Sequence, residues 1–537
     1  MASLASKAAN EGFAPLTRRR SSSFRQKQES SEFGDKSRQH FLKEQIVKGP
    51  ERALPPQASA GARAAAASNA LHYSLKARIP EELAATPGAG GQQLRRVMLH
   101  GATIVFVTPG YAGKRFIYER ARELGVRSVI IDEPGSWAEG LVGAGVIAKF
   151  LPLNLERDSE AVLADCVSAV RGLARDAEVG MPAGVCTFCE LSVPLVARLA
   201  EALGLPGPSS KAVDTARDKH KTRGAMRAAG LPSPECFKVE CADDLAAAAQ
   251  KVGFPAVLKP LNGAASLGVK KVASENELKR SYDEVRKEMD ETVVTSGALV
   301  KKDKGADSPP PEKVDFLFEE YLDGPEVDVD VVMARGRPAY AKVVDNGPTA
   351  EPYFAETWGL CPSLLKEADQ AALEQLAVDA LAACGFEVGV FHVECKLTSR
   401  GPRLIEINAR MGGGQVRKTH LLCSGVDLVE ETLFTAVGIP CNPHVVPGKA
   451  VAYTYVTSPE SGVAAGVAAQ AAALAASDPL VVYAKPLVAD GAAVVGANDA
   501  LPDWILDVMT THDDPKAALD HVLGLATTLD MAKLVIH

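Results

Sequence analysis

Apolar and polar residues alternate most strongly over Val327–Val332, a period of two that predicts a β-strand. A strand and a short linker holding Gly324-Pro325 precede it. The same alternation appears twice in FHVECKLTSRGPRLIEINARMGGG, residues Phe391–Gly414, around Glu394 and again around Glu406. A polar turn, Thr398–Arg403, separates the two runs, which predicts a pair of strands. Continuous apolar runs predict buried strands at Ala102–Val107 and Ser128–Ile131, with a helix at Lys114–Leu124 between them. That order predicts a parallel, Rossmann-like α/β domain over residues 96–210. Helical residues run from Ala216 to Ala229, where Gly230 and Pro232 stop them, and again from Glu367 to Cys384. Residues Gly462–Ala476 read as an Ala-rich helix, following a β-like run at Ala450–Thr457.

The flanks differ in composition. Residues 1–95 combine a basic start, Pro55-Pro56 and an Ala-rich stretch, with little to bury, and are expected to be largely disordered. Arg18–Arg20 before Ser21–Ser23 fits a plain tail, an organelle transit peptide or a kinase target, in that order. Residues 211–440 form the central unit, with a mobile lid at 233–324. Within the lid, 292–313 carries KKDKGADSPPPEK and is expected to be an exposed loop. Residues 441–537 are expected to form a further small domain.

At 537 residues the chain needs several domains, and its net charge of −8 argues against general nucleic-acid binding. No apolar run is long enough to span a bilayer, so no membrane partner is expected. Cys186-Thr187-Phe188-Cys189 is a lone CxxC without a second pair or suitably spaced histidines. Reduced, partly buried thiols are expected there, which suits a cytoplasmic protein, or an organellar one if the tail is a transit peptide.

Within the predicted hairpin, Glu406 and Asn408 share a face, pairing would bring Glu394 alongside, and Arg410 follows. Such hard oxygen donors suit Mg²⁺ carrying phosphates, although a half-buried hairpin with a wet face gives the same pattern. Upstream, an apolar run ends at Lys259 and a small-residue loop, Asn262–Gly268, follows. Its Gly, Ala and Ser residues, with Asn262, Gly263, Ser266 and Gly268 as candidates, allow close approach to an anion, and a simple hairpin loop reads alike. The linker with Gly324-Pro325 could offer backbone groups to an adenine edge, and Glu326 just beyond could accept from ribose hydroxyls, although an ordinary strand-turn-strand reads alike. Lys219 stands near a helix start, where a phosphate would compensate its charge. Pro109–Lys114 resembles a P-loop only superficially. Its spacing is short, and Arg115 stands where Ser or Thr should meet Mg²⁺.

In order and spacing these pieces, DKxxxR, a strand lysine with a small-residue loop, EEYLxGxE and Glu…GPRLIEINAR, resemble the ATP-grasp superfamily over roughly residues 212–440. The resemblance implies an ATP-grasp fold of two α+β lobes clasping ATP, preceded by the Rossmann-like domain and followed by a small α+β domain. It implies that Lys219 and Lys259 hold phosphates and that the Asn262–Gly268 loop covers them. It further implies a hinge at Glu320–Leu322, ribose at Glu326, and two Mg²⁺ ions, replaceable by Mn²⁺, on Glu394, Glu406 and Asn408. Arg410 and Lys259 take the catalytic roles. VTPGYAGKRFIYERARELGV, DNGPTAEPYFAETWGLCPSLL and AVAYTYVTSP look most like the carnosine synthase and L-amino acid ligase branch. That branch implies ADP-forming amide synthesis between small amino-acid substrates. Gly413 would allow close approach, Arg417 would clamp a substrate carboxylate, and Glu356 would meet a substrate ammonium. A homodimer is the default assembly. A biotin-carboxylase-like carboxylase and a silent nucleotide-binding regulator are the rival readings, although the chain lacks an MKM-type biotinylation motif.

Overall fold

The computed structural model describes residues 59–261, 268–295, 298–301, 314–351, 354–499, 501–529 and 534–536. Residues 1–58, the loop residues Asn262, Gly263 and Ser266, and the Pro-rich stretch 302–313 therefore lie outside the described residues.

The first sheet is parallel, in the order β3-β2-β1-β4, from β1 (Thr103–Val107), β2 (Arg127–Asp132), β3 (Lys149–Pro152) and β4 (Pro182–Cys186). β1 and β4 are buried throughout, as strands covered on both faces must be. A second, antiparallel sheet contains β5 (Cys236–Val239), β6 (Ala256–Pro260), β7 (Lys270–Val272) and β10 (Phe316–Glu320), in the order β5-β10-β6-β7. Leu245 and Ala248 of one helix and Leu278 and Tyr282 of another close its core.

Between β7 and β10 the chain forms a hairpin, β8 (Thr292–Thr295) with β9 (Ala298–Lys301). The expected loop is thus corrected over these residues: TVVT and ALVK are runs of β-formers, and they pair antiparallel.

The third sheet has eight strands, ordered β15-β14-β11-β12-β13-β16-β20-β18. Its members are β11 (Glu326–Ala334), β12 (Arg337–Asn346), β13 (Trp358–Cys361), β14 (Gly389–Thr398), β15 (Gly401–Asn408), β16 (Ala450–Thr457), β18 (Val481–Pro486) and β20 (Trp504–His512). β17 (Gly462–Ala464), β19 (Ala493–Val494) and β21 (Val535–Ile536) make a small separate sheet. Residues 441–537 accordingly do not stand apart: β16 pairs with β13 and carries the central sheet onward into β20 and β18. The expected helix Gly462–Ala476 begins later, at Val467, because Gly462–Ala464 is drawn into β17 and Gly466 takes a positive φ. The expected helix Ala216–Ala229 is two helices, Ser210–Arg217 and Lys219–Ala228. Asp218 is extended between them and caps the second by accepting from the Lys221 amide.

The expected disorder is corrected over residues 59–95. Helices Ala60–Arg78, Glu81–Ala84 and Gly88–Leu99 dock beside the parallel sheet. Asn69 donates to the Gly101 and Met181 carbonyls, and the fully buried Arg95 donates to those of Ala84 and Thr86. Alanine hides the first helix's buried face from a hydropathy reading, and polar anchors fix it instead. Gln92 and Arg96 also reach the helix Leu428–Ala436, donating to Glu430, and Gln92 donates to Glu431 as well.

Glu431 is fully buried, and that burial pushes its carboxyl from an ordinary 4.5 up to about 7. The unfolded chain ionises this group above 4.5, the folded chain only above about 7. Stability is therefore lost as pH rises through that interval and stays lower beyond it. Glu431→Gln should gain ~3 kcal/mol at pH 8 and almost nothing at pH 4.5. Thermal melts at both pH values check this, and an equal effect at each would contradict it.

Among the described residues no helix is long and apolar enough to cross a membrane.

Candidate active site

The three sheets surround a cavity of about 1160 Å³. Its floor is the β11–β14–β15 surface. Register pairs Glu394 directly with Glu406, and pairs Glu394 with Asp328 on its other side. Period-two alternation sets Asn408 beside them, and its amide donates to Glu394 Oε1 at 3.1 Å. Lys219, the first residue of its helix, lies 2.7 Å from Glu406 Oε2. Burial, then the neighbouring Glu406, pushes Glu394 up to about 8. Burial would raise Glu406 too, but Lys219 holds it below the ordinary range. Two facing carboxylates and an amide oxygen form a hard donor set short of positive charge, which fits a divalent cation. Among the described residues no group of three or more His, Cys, Asp or Glu side chains is arranged to hold a metal by itself. An ion here would complete its shell with water and phosphate oxygens, the habit of Mg²⁺.

The wall opposite belongs to the second sheet. Lys259 on β6 and Glu319 on β10 are diagonal neighbours on one face, 3.0 Å apart. Arg223 grips Glu319 with two bonds, Nε at 2.8 Å and a terminal nitrogen at 3.0 Å, and donates to the Ile405 carbonyl on β15. This arginine is fully buried and ties the second sheet to the floor. Burial alone would raise Glu319, yet Arg223 and Lys259 together hold it down at about 2. Burial, with Arg223 and Lys219 nearby, lowers the Lys259 ammonium. Two cations share one carboxylate, and an anion such as phosphate would balance the excess.

The linker residues line the same cavity. The amides of Glu320 and Tyr321 are already bonded, to the Glu235 and Pro255 carbonyls. An adenine edge would therefore meet carbonyls or the Leu322 amide. Glu320 pairs with Arg400, and the Tyr321 hydroxyl donates to Glu351. Glu326 lies 3.7 Å from Lys396, and its burial raises its pKa. Gly268, the described end of the loop, takes φ +73° and packs where a Cβ would strike Val285 and Pro260.

At the junction with the parallel sheet, Arg410 Nε lies 2.8 Å from Glu190, which also pairs with Arg217. Lys114 joins them, donating to the Phe188 carbonyl, and burial, then Arg410, lowers it to about 8. Gly413 and Glu356 line the cavity, and burial, then Asp328, pushes Glu356 up to about 7. Arg417 requires a correction. Its guanidinium forms a two-pronged bridge to Asp427, 2.8 Å on each arm, and lies over the Phe116 ring. Its planar fork is already filled and does not stand open for a substrate carboxylate.

Several residues escaped the sequence reading. Glu319 lay inside the EEYLxGxE motif, read for its neighbours, and Glu190 just after the CxxC, and their partners come from other segments. Asp330 bridges His392 (2.9 Å) and His420 (2.6 Å), and Tyr340 meets His420 at 2.8 Å. Burial works against His392, but Asp328 and Asp330 raise it to about 10. The alternating acids of β11 were the available signal for this network.

Known proteins are similar to this chain in sequence and in fold. Residues 252–419 match the family model described as the ATP-grasp domain, and residues 118–207 match the one described as the ATP-grasp N-terminal domain. Carnosine synthase 1 of Homo sapiens is 31% identical over 353 residues, 64% of this chain and 40% of that protein. The Gallus gallus protein of that name is 31% identical over 452 residues, 80% of this chain and 45% of that protein. Alanine–anticapsin ligase of Bacillus subtilis (strain 168) is 28% identical over 274 residues, 49% of this chain and 55% of that protein. This chain spans less than half the length of the two synthases. The crystal structure of an L-amino acid ligase from Bacillus licheniformis shares the fold, with TM-score 0.63, 22% identity, and coverage of 79% of this chain and 97% of that one.

Proposed function

We propose, from the premise that this chain belongs to the ATP-grasp family, that it is an ADP-forming ligase joining the carboxylate of one amino acid to the amine of another. The observation that carries this reading is the gathering of two opposite charge sets in one cavity. Glu394, Glu406 and Asn408 lie on one side, and Lys219 and Lys259 stand close by, with Arg410 at the edge. Phosphoryl transfer asks for such positioning and charge compensation more than for covalent help.

In this reading Lys219 and Lys259 receive ATP phosphates, Glu320–Leu322 meets the base, and Glu326 accepts from ribose. Glu394, Glu406 and Asn408 hold Mg²⁺, two ions in the family pattern, which would neutralise phosphate charge when bound. A substrate carboxylate oxygen attacks the γ-phosphorus and ADP leaves. The amine nitrogen then attacks the acyl carbon, inorganic phosphate leaves and the nitrogen loses a proton. Arg410, anchored by Glu190, spreads the developing charge, and Glu356 faces the substrate ammonium. The small-residue loop Asn262–Gly268 would keep water from the acyl phosphate.

The test is ADP release by purified protein against pairs of amino acids, with mass detection of product. Amide formation matched to ADP supports the reading. ADP release that follows bicarbonate instead, or ATP binding without turnover across the panel, would overturn it.

A further inference from the structure

Two thiols that the nucleotide, metal and substrate roles leave unused lie behind one wall of the cavity. Cys361 is the last residue of β13, and Cys423 stands one residue before the end of the helix Val416–Ser424. Folding brings their sulfurs to 3.1 Å across 62 positions of sequence, with the Cys361 thiol donating to Cys423 Sγ. That is closer than an ordinary non-bonded contact, and about 1 Å of further approach would reach the ~2.05 Å of a disulfide. Cys361 is fully buried, and Cys423 is 8% exposed. Of the ten cysteines, Cys241 alone is exposed.

The pair is chemically unequal. The hydrogen bond from Cys361, working against burial and aided by Lys342, holds the Cys423 thiol below the ordinary range. The same bond, with burial, raises Cys361. Cys423 is therefore the readier thiolate, the form that oxidants attack, and Cys361 stands in place to resolve the product. Their slight exposure favours a small oxidant over a bulky one. Both segments also lead to the cavity. Gln415, Val416 and Lys418, at the start of the Cys423 helix, line it, and so does Glu356, just upstream of β13. Tyr453 and Tyr455 line it too, and they belong to the same apolar cluster as the two thiols.

We propose that Cys361 and Cys423 are an oxidative modification site: a hydroperoxide joins them in a disulfide that shifts the cavity wall and slows turnover. The Cys423 thiolate attacks a peroxide oxygen and the O–O bond breaks. The hydroxide that leaves takes up a proton as water, and Cys423 becomes a sulfenic acid. Cys361 then gives up its proton, and its sulfur attacks the Cys423 sulfur. The S–O bond breaks, and the departing hydroxide takes that proton as a second water. Two electrons pass from the two sulfurs to the peroxide. Drawing the sulfurs together moves the helix Val416–Ser424 against β13, and with it the turn that carries Gly413 and Gln415. The effect on turnover rests on the ligase reading; the bond itself does not.

Two measurements separate these claims. In the first, the full chain is treated with stoichiometric hydrogen peroxide, alkylated and mapped by peptide mass, with and without dithiothreitol. A dithiothreitol-sensitive pair of peptides joining Cys361 to Cys423 is expected. Oxidation of the exposed Cys241, with Cys361 and Cys423 still alkylated as free thiols, would overturn the site. In the second, kcat/KM is followed in the same samples. Peroxide should lower it for the amino-acid substrates roughly 10- to 100-fold, with little change in KM for ATP, and dithiothreitol should restore it. Cys423→Ser should keep wild-type turnover and resist peroxide; Cys361→Ala carries this arm if Cys423→Ser fails to fold. A linked pair with unchanged turnover, or an equal loss in the variants, would overturn the effect on the cavity. A linked pair in a protein that forms no amide from any amino acids would keep the site and sink the ligase reading.

Discussion

Glu406→Gln is expected to lower ADP formation at least ~10³-fold while leaving the fold intact. The amide keeps the volume of the side chain and its place opposite Glu394 on β14, but not its charge. Two losses follow. The metal donor set falls to one carboxylate and two amides, which is poor for a hard divalent ion. Lys219, now 2.7 Å from Glu406, also loses its partner and competes with the cation for the same space. ADP release at saturating ATP, with a thermal melt on the same sample, checks this. Turnover within about tenfold of wild type would show that the Glu394–Glu406 pair does not carry the chemistry.

The second large effect falls on stability. Glu319→Gln should cost ~3–5 kcal/mol, because Arg223 and Lys259 stay buried without the carboxylate both of them touch. The pH dependence has a fixed sign. Glu319 is held at about 2 in the fold against an ordinary 4.5. Its contribution is therefore present above 4.5 and lost as pH falls toward 2. Wild type should weaken across that interval, and the Gln variant should lack this component of the acid loss. Denaturant unfolding at pH 7 and at pH 3 measures both. A variant as stable as wild type at pH 7 would mean that solvent or another anion already serves the two cations.

The two effects involve different parts of the same cleft, and the sequence disclosed them unequally. Alternation alone aligned Glu406 with Asn408, since side chains two apart on a strand must share a face. The turn between the runs made pairing with Glu394 a local matter. Glu319 was out of reach because its meaning depends on Arg223, 96 positions earlier, crossing from a helix of the other lobe. Arg417 misled for a similar reason. A lone guanidinium after a Gly-rich turn looks available until the chain folds Asp427 back onto it. The helix at 60–78 was hidden by alanine, which buries well but gives little hydropathy contrast. The junction of β13 with β16 was hidden because edge pairing across 89 residues of sequence leaves no periodic trace. That junction brings Tyr453 and Tyr455 to the cavity.

The most direct test of the central claim follows oxygen. Amide synthesis is run with the acyl donor labelled with ¹⁸O in its carboxylate, and the released phosphate is examined by mass. Activation of that carboxylate by ATP predicts one ¹⁸O atom in each phosphate formed with product. Phosphate free of label, alongside the same amide and ADP, would show that the carboxylate never received the phosphoryl group.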